Sequence, residues 1–173
     1  LRKIDLTKTI SITALERPPN LLREPYDLSL FFYDQYQLKW VTEICRDQIF
    51  PVCSPELAGQ LKSPQDLAGS VFLHDTKWQN DWHYWMGKVI PDQQIDVTGP
   101  GFSLYGLAVQ EAINGGGVLI GHESLVRSEL DTGSLVAPFK ERLELPQYLG
   151  VEVPSIRRKG SLTEKILDAL QSI

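Results

Sequence analysis

Short apolar runs alternate with helix signals along most of this chain, and this alternation constrains the fold more than any other feature. Strand-like runs occupy residues 10–14, 28–33, 48–53, 71–74, 95–98, 118–121 and 149–153. Helices that separate consecutive strands favour parallel pairing, because a parallel connection needs a crossover of a dozen or more residues. The sequence therefore predicts an α/β protein with buried apolar strands.

Helix starts and stops lie between these runs. Ser54 and Ser63 each stand directly before a proline, which places a capping hydroxyl ahead of a residue suited to the first helical position. Residues 103–114 carry apolar side chains at helical spacing and end at Gly115, and residues 122–132 do the same before Gly133. Ser161 and Glu164 have the spacing of a capping box, which predicts a terminal helix.

Composition narrows the classes of partner. The chain has 173 residues, 42% of them hydrophobic, and a formal net charge of −5. A chain of this kind has enough apolar surface for a packed core, and its negative charge argues against these residues gripping a phosphate backbone. Its apolar runs are far shorter than the roughly 20 residues of a spanning helix, so we expect no membrane partner.

Metal and cofactor motifs are weak in this sequence. Cys45 and Cys53 lack the paired spacing of a zinc site, and we expect both to be reduced thiols. His122 and Glu123 are not followed by the second histidine of a helical zinc site. The glycines at 115–117 run from helix to strand, the reverse of a phosphate-binding loop, and indicate a tight turn. We expect no metal and no cofactor.

A catalytic interpretation would start from His74, Asp75 and Ser103, which supply a base, a carboxylate and a nucleophile. Ser103 lacks the second glycine of a hydrolase nucleophile elbow. Its place just before an apolar-periodic run instead favours a helix N-cap. The sequence therefore favours a protein that is not an enzyme.

Three tryptophans follow the run at 71–74. Trp78, Trp82 and Trp85 have the i, i+4, i+7 spacing that would stack three indoles on one helix face. Core packing explains most of such a stripe, although an aromatic wall beside a cleft also holds organic ligands. We place Trp78 nearest to such a cleft.

The order and spacing of several motifs resemble one family. The motifs are residues 26–30, 48–55, 67–68, 72–75, 102–105, 108–112, 117–121, 125–126, Leu130, 133–136 and 138–139. Together they resemble the effector-binding domain of LysR-type transcriptional regulators. They are most similar to the branch that contains the glycine-cleavage activator and the β-lactamase activator.

The resemblance implies two Rossmann-like α/β lobes joined by two crossover strands, as in type 2 periplasmic binding proteins. Residues 1–53 and 138–173 would form lobe I, and residues 54–137 would form lobe II. Relatives carry a further strand and helix at the start of lobe I and an N-terminal winged helix-turn-helix that binds DNA. We expect this chain to lack these parts.

The resemblance also implies where an effector binds. The family cleft maps onto Thr13 after the first run, Tyr33 and Asp34 after the second, and His74 and Asp75 after a strand of lobe II. It further maps onto Phe102 and Ser103 at a helix start. Trp78 joins these candidates because of the aromatic spacing.

The expected function is therefore the sensing and dimerisation domain of a bacterial, cytoplasmic DNA-binding regulator that binds a small-molecule effector between its two lobes. Its expected partners are the effector, further copies in a homodimer or tetramer, DNA through the missing N-terminal domain, and RNA polymerase. A periplasmic-type solute-binding protein with the same lobes is one alternative. A small hydrolase or transferase that uses His74 and Ser103 is another.

Overall fold

The computed structural model describes residues 10–15, 17–34, 41–154 and 162–170. Its strands are β1 (Ser29–Asp34), β2 (Val41–Val52), β3 (Phe72–Asp75), β4 (Gly101–Phe102), β5 (Val118–His122) and β6 (Leu143–Glu152). Its helices are α1 (Pro55–Ala58), α2 (Asp81–Val89), α3 (Tyr105–Ile113), α4 (Glu123–Thr132) and α5 (Leu162–Leu170), with a 3-10 helix at Pro64–Gly69. Strands alternate with helices through the middle of the chain, which confirms the α/β class.

The chain divides into two compact units. The first unit contains residues 1–47 and 145–173, and the second contains residues 48–144. The lobe borders predicted after Cys53 and Ala137 fall inside the second unit, and the lobe assignment stays a prediction.

The first unit has the strand order β1-β6-β2. β1 and β6 are antiparallel, and Tyr33 lies directly opposite Tyr148. Its core contains the buried side chains of Val151, Val153 and Leu167, the last contributed by α5. The capping box at Ser161 falls outside the described residues.

The second unit has the strand order β2-β5-β3-β4. β3 runs parallel to β5 on one side and to β4 on the other, as the alternation of strands and helices predicts. Apolar side chains of β2, β3 and β5 pack against α3 and α4, and the largest of them are Phe50, Leu73 and Leu119. This packing fixes the starts of the helices relative to the ends of the strands.

Glycines follow two helices of the second unit, α3 and α4, where the sequence predicts. Gly115 follows α3 with φ of 82°, and Gly133 caps α4 with φ of 73°. Residues other than glycine rarely adopt a positive φ of this size. The turn after α3 is also tight, because a Cβ at Gly117 would lie 2.4 Å from the carbonyl oxygen of Val71.

Two predicted strands do not form. Residues 10–14 are irregular, and Ile12 is 79% exposed, so among the described residues this run has no strand to pair with. Residues 95–98 are irregular because their backbone groups are hydrogen-bonded to side chains instead of to a neighbouring strand. The His74 ring bonds to the Val97 carbonyl, and the Asp96 carboxylate accepts from the Thr98 N–H. The strand of this region is β4 instead.

Two helix details are also corrected. α3 begins at Tyr105 with Leu104 as its N-cap, so the prediction that Ser103 caps the helix is wrong. Trp78 precedes α2, and only Trp82 and Trp85 lie on the helix. Both of these indoles are buried, whereas Trp78 is half-buried.

The Cys53 thiol gives the fold a measurable pH dependence. Burial raises its pKa from an ordinary value of 9.0 to about 11. Between these values the unfolded chain has lost a proton that the folded chain keeps, so the free energy of unfolding should fall as pH rises from 9 to 11. Urea denaturation across this range measures the slope. Cys53→Ala should make the slope shallower, and Cys45→Ala should not; a slope that remains above pH 10 comes from the buried Tyr33 and Tyr148. A full slope in Cys53→Ala would contradict this assignment.

Candidate functional site

Three strand ends and three helix starts meet at one edge of the second unit. The parallel strands β3, β4 and β5 end there at Asp75, Phe102 and His122, and α2, α3 and α4 follow them in turn. In open α/β sheets ligands bind outside the carboxyl ends of the strands. We call these strand ends and helix starts the carboxyl edge, and it is the candidate site.

The start of α3 offers hydrogen-bond donors to a ligand. Leu104 has an extended backbone, and no side chain caps the first turn. The Ser103 side chain is exposed, and its hydroxyl has no hydrogen bond to a described residue. The first amides of a helix lack intrahelical acceptors and carry partial positive charge. This corner of the carboxyl edge therefore suits an anionic group.

Asp75 and His74 are engaged by the backbone around them. The buried Asp75 carboxylate accepts from the N–H of Lys77 at 2.7 Å and of Trp78 at 3.3 Å, which holds the turn after β3. The His74 ring bonds to the Val97 carbonyl. Neither side chain is hydrogen-bonded to Ser103. His74 is therefore not placed as a base for a Ser103 nucleophile, with Asp75 as its carboxylate.

A buried histidine ties the helix starts together, and the sequence did not single it out as a ligand-site residue. His122 is 1% exposed, and its Nε2 lies 2.9 Å from Oδ2 of Asp81 in the first turn of α2. Its backbone N–H donates to the Tyr105 hydroxyl, which in turn donates to the Ile120 carbonyl. The His122–Asp81 contact joins residues 41 positions apart in the sequence, so only the folded chain reveals it.

Aromatic rings complete this cluster. The Trp78 ring lies 4.0 Å from the His122 ring between centroids, at an angle of 34°. It meets the Tyr105 ring edge-on at 5.2 Å. Trp78 therefore forms one wall of the carboxyl edge and packs on His122, and its place beside a ligand site stays a prediction. A small cavity of about 10 Å³ lies against Trp78, Asp75 and Asp81.

The other predicted contacts lie in the first unit. Tyr33 is buried and stacks on Tyr148 with ring centroids 6.2 Å apart. Burial raises the pKa of the Tyr33 hydroxyl, which has no hydrogen-bond partner among the described residues. Asp34 is exposed and accepts from Gln147. Thr13 is exposed in the irregular run at 10–15.

Tyr148 is a candidate that sequence reasoning missed. It is 3% exposed, and its hydroxyl has no hydrogen-bond partner among the described residues. Burial also raises its pKa. Its position opposite Tyr33 depends on the β1–β6 register, for which the sequence carries no direct signal.

Neither a metal-binding cluster nor a membrane-spanning helix occurs among the described residues. No group of three or more His, Cys, Asp or Glu side chains in this part of the chain is placed to hold a metal ion. None of its helices is long and apolar enough to cross a membrane.

An α/β unit with this carboxyl edge belongs to the class of domains that bind small molecules beside their strand ends. Comparison with known proteins gives the family. A family model described as the LysR substrate binding domain matches residues 7–172. The chain therefore belongs to the LysR substrate-binding domain family, as its motifs indicate.

Curated relatives of the chain include transcription regulators of Escherichia coli K12. The glycine cleavage system transcriptional activator is 31% identical over 138 residues, which are 78% of this chain and 45% of that protein. The HTH-type transcriptional regulator DsdC is 35% identical over 143 residues, or 76% of this chain and 46% of that protein. The chain thus spans about half the length of these relatives.

Solved structures share the fold. The effector domain of AmpR from Pseudomonas aeruginosa has a TM-score of 0.69 at 19% identity, with 90% of this chain and 75% of that one covered. The AmpR effector-binding domain from Citrobacter freundii has the same TM-score at 20% identity and covers 90% and 78%. These likenesses confirm the predicted fold class.

Proposed function

We propose that this domain senses a small-molecule effector for a LysR-type transcription regulator. The observation that carries the proposal is the start of α3, where no side chain caps the helix amides and the exposed Ser103 hydroxyl has no hydrogen bond to a described residue. An effector with a carboxylate or another anionic group would gain hydrogen bonds from both. Trp78 would pack against the body of the same molecule.

The regulator to which this domain belongs would bind DNA through a separate domain and act in the cytoplasm as a homo-oligomer. RNA polymerase is a further proposed partner. Effector binding alters output only if the effector has different affinities for two arrangements of the regulator, and such couplings are typically about 1–3 kcal/mol. Thr13, Tyr33, Asp34, His74, Asp75 and Phe102 remain proposed effector contacts.

The alternatives have less support. Relatives that are transcription regulators favour a sensor over a periplasmic-type solute-binding protein. A hydrolase or transferase would need His74 to activate Ser103, but the His74 ring bonds to a backbone carbonyl. We therefore propose that the domain is not an enzyme.

Replacing Ser103 should weaken effector binding without unfolding the protein. A thermal-shift screen of amino acids, cell-wall muropeptides and aromatic carboxylic acids would find a binder, because a ligand of the folded state raises its melting temperature. Ser103→Ala removes one hydrogen bond to a charged group, so calorimetry should show a dissociation constant raised about 10-fold or more.

Ser128→Ala is the matched control. Ser128 is an exposed serine on α4 whose side chain has no hydrogen bond to a described residue, and its loss should leave affinity unchanged. The proposal fails if no compound in the screen binds the wild type, or if Ser103→Ala binds the hit as tightly as Ser128→Ala does.

A further inference from the structure

A second cavity of the second unit lies along α2 rather than at the carboxyl edge. Its lining includes Met86, Gly87 and Ile90 at the end of α2 and residues 95–97. We call it the α2 groove. Its volume is about 510 Å³, which lies in the range of small-molecule sites. Neither the strand ends nor Ser103 line it.

The floor of the α2 groove is apolar. Met86, Ile90 and Val97 are each 5–7% exposed, and Ile95 is half-buried beside them. Met86 adds a flexible, polarisable thioether that packs well against aromatic rings. The floor therefore favours the apolar body of a ligand, and an aromatic ring in particular.

Gly87 keeps the groove open. It lies in the interior of α2, where glycine is less favourable than alanine. A Cβ built at Gly87 meets no other atom within 4 Å, so no packing contact of the described residues explains the glycine. Since Gly87 lines the groove, an added methyl group would occupy the space that a ligand would use.

One carboxylate on the rim, that of Asp96, has no cationic partner among the described residues. The exposed Asp96 side chain accepts from the Thr98 N–H through Oδ1 and forms no ion pair with a described residue. The groove is lined by no Lys or Arg, and His83 is its other titratable group. The side-chain amides of Gln93 and Gln94 add hydrogen-bonding groups near Asp96. The rim thus suits a cation with several N–H donors.

We propose that the α2 groove is a second small-molecule site that binds an organic ammonium with an apolar body, of the aralkylamine class. The ring packs on the floor against Met86, Ile90 and Val97, while the ammonium pairs with Asp96. This inference concerns residues outside the carboxyl edge and does not rest on the proposed effector function.

Phenethylamine is the probe, because it combines one ring with one ammonium. Isothermal titration calorimetry should show saturable binding to the whole chain, with 2-phenylethanol and 3-phenylpropionate weaker by about 10-fold or more, as expected for the loss of one charge pair. Asp96→Asn should weaken phenethylamine to the level of the alcohol. Asp92→Asn, which changes an exposed acid outside the groove, should not.

Gly87→Ala separates occupancy of the groove from folding. It should abolish phenethylamine binding while the melting temperature stays the same or rises, since alanine is the better helix former. Gly69→Ala adds a methyl in open space elsewhere and should leave binding intact. The inference is overturned if the wild type shows no saturable binding, if the alcohol binds as well as the amine, or if Gly87→Ala binds normally.

Discussion

Asp81→Ala should lower the free energy of unfolding by about 1–3 kcal/mol, because it removes the carboxylate that is hydrogen-bonded to the buried His122 ring. His122 is 1% exposed, so water cannot fully replace the lost hydrogen bond to Asp81. The same variant should also loosen Trp78, which packs on the His122 ring. Urea denaturation followed by far-UV circular dichroism measures the first effect.

Two further variants separate the contact from a general effect of acidic residues at helix starts. Asp81→Asn keeps an oxygen that can accept from His122 and should cost less than the alanine variant. Glu56→Ala removes an exposed acid from the first turn of α1 and should cost only a few tenths of a kcal/mol. If Asp81→Ala unfolds at the same urea concentration as Glu56→Ala, the buried pair does not stabilise the fold.

Trp82→Ala should lower the free energy of unfolding by about 3–5 kcal/mol, which is more than Trp78→Ala should. The Trp82 ring is 2% exposed, meets Phe72 edge-on at 4.8 Å and donates its indole N–H to the Leu73 carbonyl. Its removal leaves a cavity and takes one hydrogen-bond donor from the Leu73 carbonyl. Chemical denaturation with circular dichroism is again the measurement.

Trp78→Ala is the informative comparison for Trp82→Ala. Trp78 is half-buried and precedes the helix, so its loss should cost less than half as much stability as the loss of Trp82. Binding of a hit from the effector screen should instead weaken, since Trp78 forms a wall of the carboxyl edge. Equal losses of stability in the two variants would contradict the distinction between core and site.

Local signals account for the elements that the sequence predicts correctly. The Ser54 and Ser63 caps, the glycine that ends α4 and the apolar periodicity of α3 involve residues within a few positions of one another. Their interactions form in any chain conformation that makes the helix. The prediction that Ser103 caps α3 also rested on a local pattern, and it was wrong. The pattern identified the helix, but a serine at that spacing does not determine where the first turn begins.

Pairing and side-chain contacts across the fold required the tertiary structure. Residues 95–98 have the apolar character of a strand, yet their backbone groups bond to side chains and β4 forms further along. His122 meets Asp81, and Tyr33 meets Tyr148, only after distant strands have paired. By itself the sequence determined the α/β class, the helix ends and the family, because these depend on local chemistry and on motif order. The tertiary structure decided which polar groups are buried together, because a contact between distant residues exists only once the sheet brings them side by side.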